Sequence, residues 1–152
     1  MTPQEFIAAI APAAQASAAH SKIPASFTVA QAALESAWGR SQLAREAFNL
    51  FGVKAAAAWQ GDVLELPTRE YLNGQWVTVP ARWRRYPDWL ACIDDHAAFL
   101  LQNPRYRPAF QFRDGPRFAS AVAKAGYATD PTYAAKIISI IQGRGLAALD
   151  AA

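Results

Sequence analysis

Two carboxylates carry the chemical interest of this chain: Glu35, in Ala33-Leu34-Glu35-Ser36-Ala37-Trp38-Gly39-Arg40, and Glu70, in Thr68-Arg69-Glu70-Tyr71. Phe27, Ala30, Leu34 and Trp38 recur at helical spacing, and Gly39 stands where a helix end favours a left-handed residue. The spacing therefore predicts a helix from Phe27 to Trp38 with Glu35 in its last turn and Gln31 one turn earlier on the same face. The negative end of the helix dipole and the apolar neighbours Leu34 and Trp38 both disfavour ionised Glu35, and a carboxylic acid that holds its proton near neutral pH can serve as a general acid. The alternative for Glu35 alone is an ordinary solvated glutamate.

Glu70 is placed by a hairpin. Asn73-Gly74 is a strong two-residue turn signal between the apolar-rich runs Thr68 to Leu72 and Gln75 to Trp83, with Val63 to Leu66 before them. This turn pairs Leu72 with Gln75 and Glu70 with Val77. One face then carries Leu66, Thr68, Glu70, Leu72, Val77, Val79, Ala81 and Trp83, and the other Arg69, Tyr71, Trp76, Thr78 and Arg82. A carboxylate on the apolar face belongs either at the edge of a cleft or beside a cation such as Arg45 or Arg84, since burying it unpaired is costly. Two carboxylates in such settings fit glycoside hydrolysis, where one protonates the leaving oxygen and the other handles water or the developing cation. Trp38, Phe51, Trp59, Tyr71, Tyr86 and Tyr127 offer flat faces for sugar rings, although aromatics in a small domain also serve as core.

The remaining elements must hold these groups. Thr2-Pro3-Gln4-Glu5 is a capping box for a helix running to about Ala19, with Phe6, Ile7, Ile10 and Ala14 on one face. Pro24 breaks the chain before the Glu35 helix, Ser41 caps a short helix through Arg45, and Asn49-Leu50-Phe51-Gly52 reads as a tight turn. Ala55 to Ala58 has neither charge nor periodicity to assign it. After Asp88, the stripe Trp89, Ile93, Ala97 and Leu100 marks a helix ending before Asn103-Pro104, on which His96 is expected to make a fixed hydrogen bond beneath the core. Arg105 to Asp114 reads as an irregular connection, and Pro116 to Ala125 as a helix closed by Gly126. Asp130 caps a last helix begun by Pro131, with Ala134, Ile137, Ile138 and Ile141 facing inward and a stop near Gly143. The expected fold is α+β, mainly helical, with one small β-hairpin lobe.

The 152 residues suit a single domain, and 53% hydrophobic and 12% aromatic content supplies its core. A net charge of +3, a pI near 9.2 and the cluster Arg82, Arg84, Arg85 favour anionic partners without choosing among them. The lone Cys92 lies in an apolar helical pattern and reads as a buried thiol. No histidine or cysteine spacing matches a metal-ligand pattern, so neither metal nor cofactor is expected. No base-reading helix rich in Arg, Asn or Gln argues for nucleic acid. No stretch has the length and apolarity to span a bilayer, so no stable membrane insertion is expected, and the alanine-rich start lacks the basic and continuous apolar regions of a signal peptide.

Gln31-Ala32-Ala33-Leu34-Glu35-Ser36-Ala37-Trp38-Gly39, Asn49-Leu50-Phe51-Gly52-Val53-Lys54, Thr68-Arg69-Glu70-Tyr71, Asp95-His96 and Ala125-Gly126-Tyr127-Ala128-Thr129-Asp130-Pro131 occur in this order over nearly the whole chain. Together they resemble glycoside hydrolase family 73, the glucosaminidase domains found in autolysins and phage endolysins. The resemblance implies a lysozyme-like fold, with the hairpin lobe flanking a cleft, and cleavage of the β-1,4 bond after N-acetylglucosamine in peptidoglycan glycan strands. It implies Glu35 as general acid, Glu70 as second acidic residue and Tyr127 as a cleft tyrosine required for full activity. Asn49, Phe51 and Tyr71 are the corresponding substrate-binding positions. Trp83, where the family often has phenylalanine, and Pro87-Asp88, in place of a serine helix start, depart from the pattern away from these residues. The expectation is one catalytic domain over residues 1–152, without a wall-binding repeat, acting as a monomer on the cell wall or periplasm after holin-dependent release or as a piece of a longer parent. The competing readings are a lysozyme or lytic transglycosylase cutting after N-acetylmuramic acid, and a non-catalytic peptidoglycan-binding module.

Overall fold

The computed structural model describes residues 1–151 and contains six α-helices and four strands among them. The helices are α1 (Pro3–Ser21), α2 (Ala25–Ser36), α3 (Gln42–Ala47), α4 (Trp89–Gln102), α5 (Gly115–Lys124) and α6 (Tyr133–Gly143). The strands β1 (Asp62–Glu65), β2 (Thr68–Leu72), β3 (Gln75–Val79) and β4 (Arg82–Arg85) lie between α3 and α4. Two 3₁₀ segments, Pro104–Gln111 and Leu146–Asp150, complete the order; the first gives regular form to a stretch expected to be irregular.

Helix α2 is the axis of the fold. Every residue from Ala25 to Ala33 is buried, because α1, α5 and α6 all pack on it. Phe27, Val29 and Ala30 are fully enclosed, Phe27 lying 4.8 Å from the Phe118 ring of α5. Gly115, at the start of α5, is required here: a Cβ would fall 2.2 Å from Ser26 Oγ. Pro24 provides no side-chain cap for α2, and the free N–H groups are served from the far end of the chain. Ser26 N donates to Asp150 Oδ1 (2.9 Å) and Ser26 Oγ to Asp150 Oδ2 (2.6 Å), placing a carboxylate at the positive end of the helix.

The other end of α2 turns earlier than the Gly39 signal implied. Ala37, Trp38 and Gly39 all have positive φ (51°, 60° and 78°), a run that costs about 1–2 kcal/mol for each non-glycine member. Ser36 holds the turn, its hydroxyl donating to Ala32 O (2.6 Å) and accepting from Gly39 N (2.9 Å). Gly39 is also confined by packing, since a Cβ would meet the Phe6 ring at 2.9 Å.

The hairpin has the expected register, with Leu72 opposite Gln75 and Glu70 opposite Val77. The expected long return strand is broken, however. Proline has no N–H to donate, and at Pro67 and Pro80 the ladder divides into an outer β2–β3 pair and an inner β1–β4 pair. The two are bridged by Leu66 N to Ala81 O (3.0 Å) and Trp83 Nε1 to Leu66 O (2.9 Å). The last helix also begins later than expected. Asp130 accepts from Thr132 N and Oγ1 and pairs with Lys136, so Pro131-Thr132 form a turn and α6 starts at Tyr133, which joins Ile137 and Ile141 on the buried stripe.

Candidate active site

The last turn of α2 places Glu35 at a cavity of about 450 Å³ between the helical body and the inner strands. Phe51, His96, Phe99, Tyr106 and Tyr127 supply its aromatic walls; Val53, Arg84, Asp95 and Ala128 complete it. Glu35 occupies the helix end as expected, but its expected shielding is absent. Glu35 is exposed, while Leu34 and Trp38 line a separate depression with Thr132, Lys136 and Arg144. What constrains Glu35 is a hydrogen bond: Tyr133 Oη donates to its Oε1 at 2.7 Å.

That bond ends a chain of polar groups running through the core. His96 Nε2 lies 2.9 Å from Gln31 Oε1, Gln31 Nε2 donates to Tyr133 Oη (2.9 Å), and Tyr133 donates onward to Glu35. Gln31 has no exposed surface and Tyr133 only 5%, so each group depends on its neighbour. Burial pulls the His96 pKa from 6.5 down to about 4, against a smaller opposing pull from Asp95. His96 is therefore neutral near pH 7, and Gln31 Oε1 assigns its single proton to Nε2. The Phe51 ring stacks on the imidazole at 3.9 Å and fixes its plane.

Tyr127 stacks on Tyr133 (5.6 Å, 21°) and meets His96 edge-on at 6.0 Å. Burial, and then the charge of Glu35, push the Tyr127 pKa above its ordinary value; burial does the same for Tyr133. Both are neutral phenols at physiological pH. Asp95 is the other carboxylate of the wall, and its Oδ2 is already engaged by Arg84 Nη1 (2.7 Å) and Tyr86 Oη (2.5 Å). Each carboxylate keeps one oxygen without a hydrogen bond, but Asp95 is neutralised by the Arg84 cation, whereas Glu35 is exposed and among the described residues pairs with no cation.

Of the residues singled out from sequence, Glu35, Phe51 and Tyr127 share the cavity wall. Glu70 does not line it. Glu70 sits half-buried on the expected face of β2, where Lys54 Nζ reaches its Oε1 at 3.3 Å, rather than Arg45 or Arg84. Tyr71 lies on the opposite face, 61% exposed, with its ring 5.4 Å from that of the equally exposed Trp76. Asn49 is beneath the cleft, not in it. Its Nδ2 donates to Val53 O and Arg84 O (both 2.9 Å), its Oδ1 accepts from Val53 N (3.0 Å), and only 1% of it is exposed. Asn49 therefore ties the Phe51 turn to β4 and has no polar atom to spare for substrate. Tyr133 escaped sequence reading, although its place one turn before Ile137 and two before Ile141 was a usable signal.

Among the described residues no three His, Cys, Asp or Glu side chains converge as a metal site needs, and no helix is long and apolar enough to cross a membrane. The fold has close counterparts. A C-terminally truncated glycoside hydrolase domain of Salmonella typhimurium FlgJ superposes with a TM-score of 0.84 at 40% identity, over 95% of this chain and 99% of that one. In sequence, the peptidoglycan hydrolase FlgJ of Salmonella typhimurium is 42% identical over 143 residues, 91% of this chain and 45% of that protein. The exo-glucosaminidase LytG of Bacillus subtilis is 38% identical over 122 residues, 77% of this chain and 43% of its own length. The chain thus spans less than half the length of these curated relatives. Residues 11–146 match the model of the Glucosaminidase family, described as mannosyl-glycoprotein endo-beta-N-acetylglucosaminidase. With a lysozyme-like fold around an aromatic cleft that Glu35 lines, the chain belongs to the Glucosaminidase family of glycoside hydrolases.

Proposed function

We propose that this chain hydrolyses the β-1,4 bond after N-acetylglucosamine in peptidoglycan, at internal positions of the glycan strand, with Glu35 as general acid. The observation that carries this reading is the Tyr133–Glu35 hydrogen bond at the cleft. Tyr133 holds one carboxyl oxygen, leaving the other to present a proton to the glycosidic oxygen, and it stabilises the carboxylate left after transfer. Phe51 and Tyr127 offer their open faces to sugar rings, and the Tyr127 phenol, which keeps its proton, donates to a substrate oxygen.

In the hydrolytic step, the Glu35 proton passes to the leaving oxygen as its bond to C1 breaks. A water oxygen bonds to C1, and Glu70 takes the water's proton after the hairpin closes on the glycan. A second reading is favoured by the position of Glu70 outside the cavity wall: the substrate's own N-acetyl oxygen attacks C1, and water then opens that intermediate. Glu70 in this case assists without being indispensable.

Digestion of purified sacculi, followed by reduction and mass spectrometry of the products, tests the proposal. N-acetylglucosamine at the new reducing ends is expected, whereas N-acetylmuramic acid there would make the chain a muramidase. Product lengths separate internal from terminal cutting. Glu35→Gln should abolish release; substantial residual turnover would overturn the assignment of the acid. Glu70→Gln on N-acetylated and N-deacetylated glycan separates the two routes, because substrate assistance fails on the deacetylated strand and tolerates loss of Glu70.

A further inference from the structure

Behind one wall of the cleft lies a second groove, a cavity of about 510 Å³ between the Pro104–Gln111 segment and α5. Three cations border it: Arg105, Arg117 and Lys124. No acid is among its lining residues, and Asp114 Oδ2, outside that lining, accepts from Arg117 Nε at 2.6 Å. Among the described residues, neither Arg105 nor Lys124 is paired with a carboxylate. Pro108, Phe112, Ala121 and Ala125 give the lining an apolar part, with the Arg117 guanidinium 5.3 Å above the Phe112 ring, and Gln111 and Ser120 add neutral polar groups. Positive charge beside apolar surface is complementary to an anionic ligand with an apolar part.

The two cavities share a wall. Arg105 faces the groove while the adjoining Tyr106 faces the cleft; Ala125 borders the groove while Tyr127 borders the cleft. Arg105 Nη1 comes within 3.9 Å of where a Gly126 Cβ would stand, so its charge reaches the link between the two sides. A glycan seated in the cleft carries on its muramic acid residues short peptides rich in free carboxylates. A stem of three or four residues spans about 10–14 Å when extended, enough to cross one wall.

We infer that the Arg105–Arg117–Lys124 groove is a subsite for the carboxylate-bearing peptide stem of the strand being cut. The inference rests on the proposed peptidoglycan substrate and deepens it: the enzyme reads the peptide as well as the sugar. Arg105 and Lys124 supply the unengaged charges, Arg117 is held in place by Asp114, and Phe112 supports the backbone of the stem.

The test compares wild type, Arg105→Ala/Lys124→Ala and the charge-keeping Arg105→Lys/Lys124→Arg on two substrates. One is stem-bearing glycan, and the other is the same glycan stripped of its peptides by an amidase. For the alanine variant, KM on the stem-bearing strand should rise about tenfold with kcat unchanged, as expected for the loss of two charge-assisted contacts, while both parameters stay at wild-type values on the stripped strand. The charge-keeping variant should restore most of the KM. An equal KM rise on both strands would mean that the groove acts on the glycan or on polyanions in general, and no rise on either would mean that it goes unused; each overturns the inference. Glu35→Gln in the same assay keeps the underlying reading separate. If that variant cuts, the assignment of Glu35 as the acid fails; if wild type cuts neither strand, the proposed peptidoglycan substrate fails, and neither result is a KM difference between the two strands.

Discussion

Replacing Tyr133 with phenylalanine removes one oxygen and leaves the ring stack on Tyr127 intact. The oxygen does two things. It donates to Glu35 at the cleft, and it accepts from Gln31, which is wholly buried. Losing the bond to a charged acceptor is worth about 1.5–3 kcal/mol, and if that loss falls on the transition state, kcat drops by about 10- to 150-fold with little change in KM. Losing the acceptor strands the Gln31 amide, which costs about 1–3 kcal/mol of stability, or a Tm lower by about 2–10 °C for a chain of this size. Initial rates of new reducing ends from sacculi give the first quantity, and thermal melts the second. A variant that melts early but turns over at the wild-type rate would reduce Tyr133 to a core residue and refute its role in orienting Glu35. A variant that loses rate through KM alone would move Tyr133 to substrate binding.

The buried neutral His96 makes stability depend on pH. Its folded pKa, about 4, lies below the ordinary 6.5, so the unfolded chain binds the extra proton and stability falls as pH drops from 6.5 towards 4. At about 1.4 kcal/mol per pKa unit the loss approaches about 3 kcal/mol; chemical denaturation from pH 7 to 4 measures it, and a flat profile for this contribution, judged against His96→Gln, would contradict it. Asn49→Ala removes three short hydrogen bonds beneath the Phe51 turn, and an expected loss of about 2–4 kcal/mol in a urea melt should accompany weaker glycan binding. Unchanged stability would mean that the turn holds without Asn49.

Sequence alone carried the local features well, because the signals for them are local. The capping box at Thr2, the Asn73-Gly74 register and the helix-end placement of Glu35 each depend on residues a few positions apart. What sequence could not supply was the identity of partners brought together by the fold. Gln31, His96 and Tyr133 come from three helices, and only the fold, with α6 packed on α2 and both α2 and α4 packed on α1, makes them one chain of hydrogen bonds. The helical period placed Gln31 and Glu35 on a common face and gave His96 a fixed hydrogen bond, but named no acceptor. Leu34 and Trp38 show the reverse failure. They are neighbours of Glu35 along the chain, yet Leu34 points about 100° away round the helix and the left-handed turn at Ala37 and Trp38 sends the Trp38 ring to the same side as Leu34. Asn49 was legible as a turn residue and misread as a sugar contact, because sequence cannot say that backbone carbonyls will consume its amide.

The proline pair that divides the hairpin also governs what the hairpin cannot do. A protruding two-stranded arm with Tyr71, Trp76 and Leu72 exposed at its tip would ordinarily invite a second copy to add a strand along its edge. Here no strand exceeds five residues, and Pro67 and Pro80 withhold an N–H on each side of the break. An incoming strand finds only short interrupted runs of donors and acceptors. The aromatic tip is thus carried on strands whose edges offer a second chain little continuous backbone to pair with.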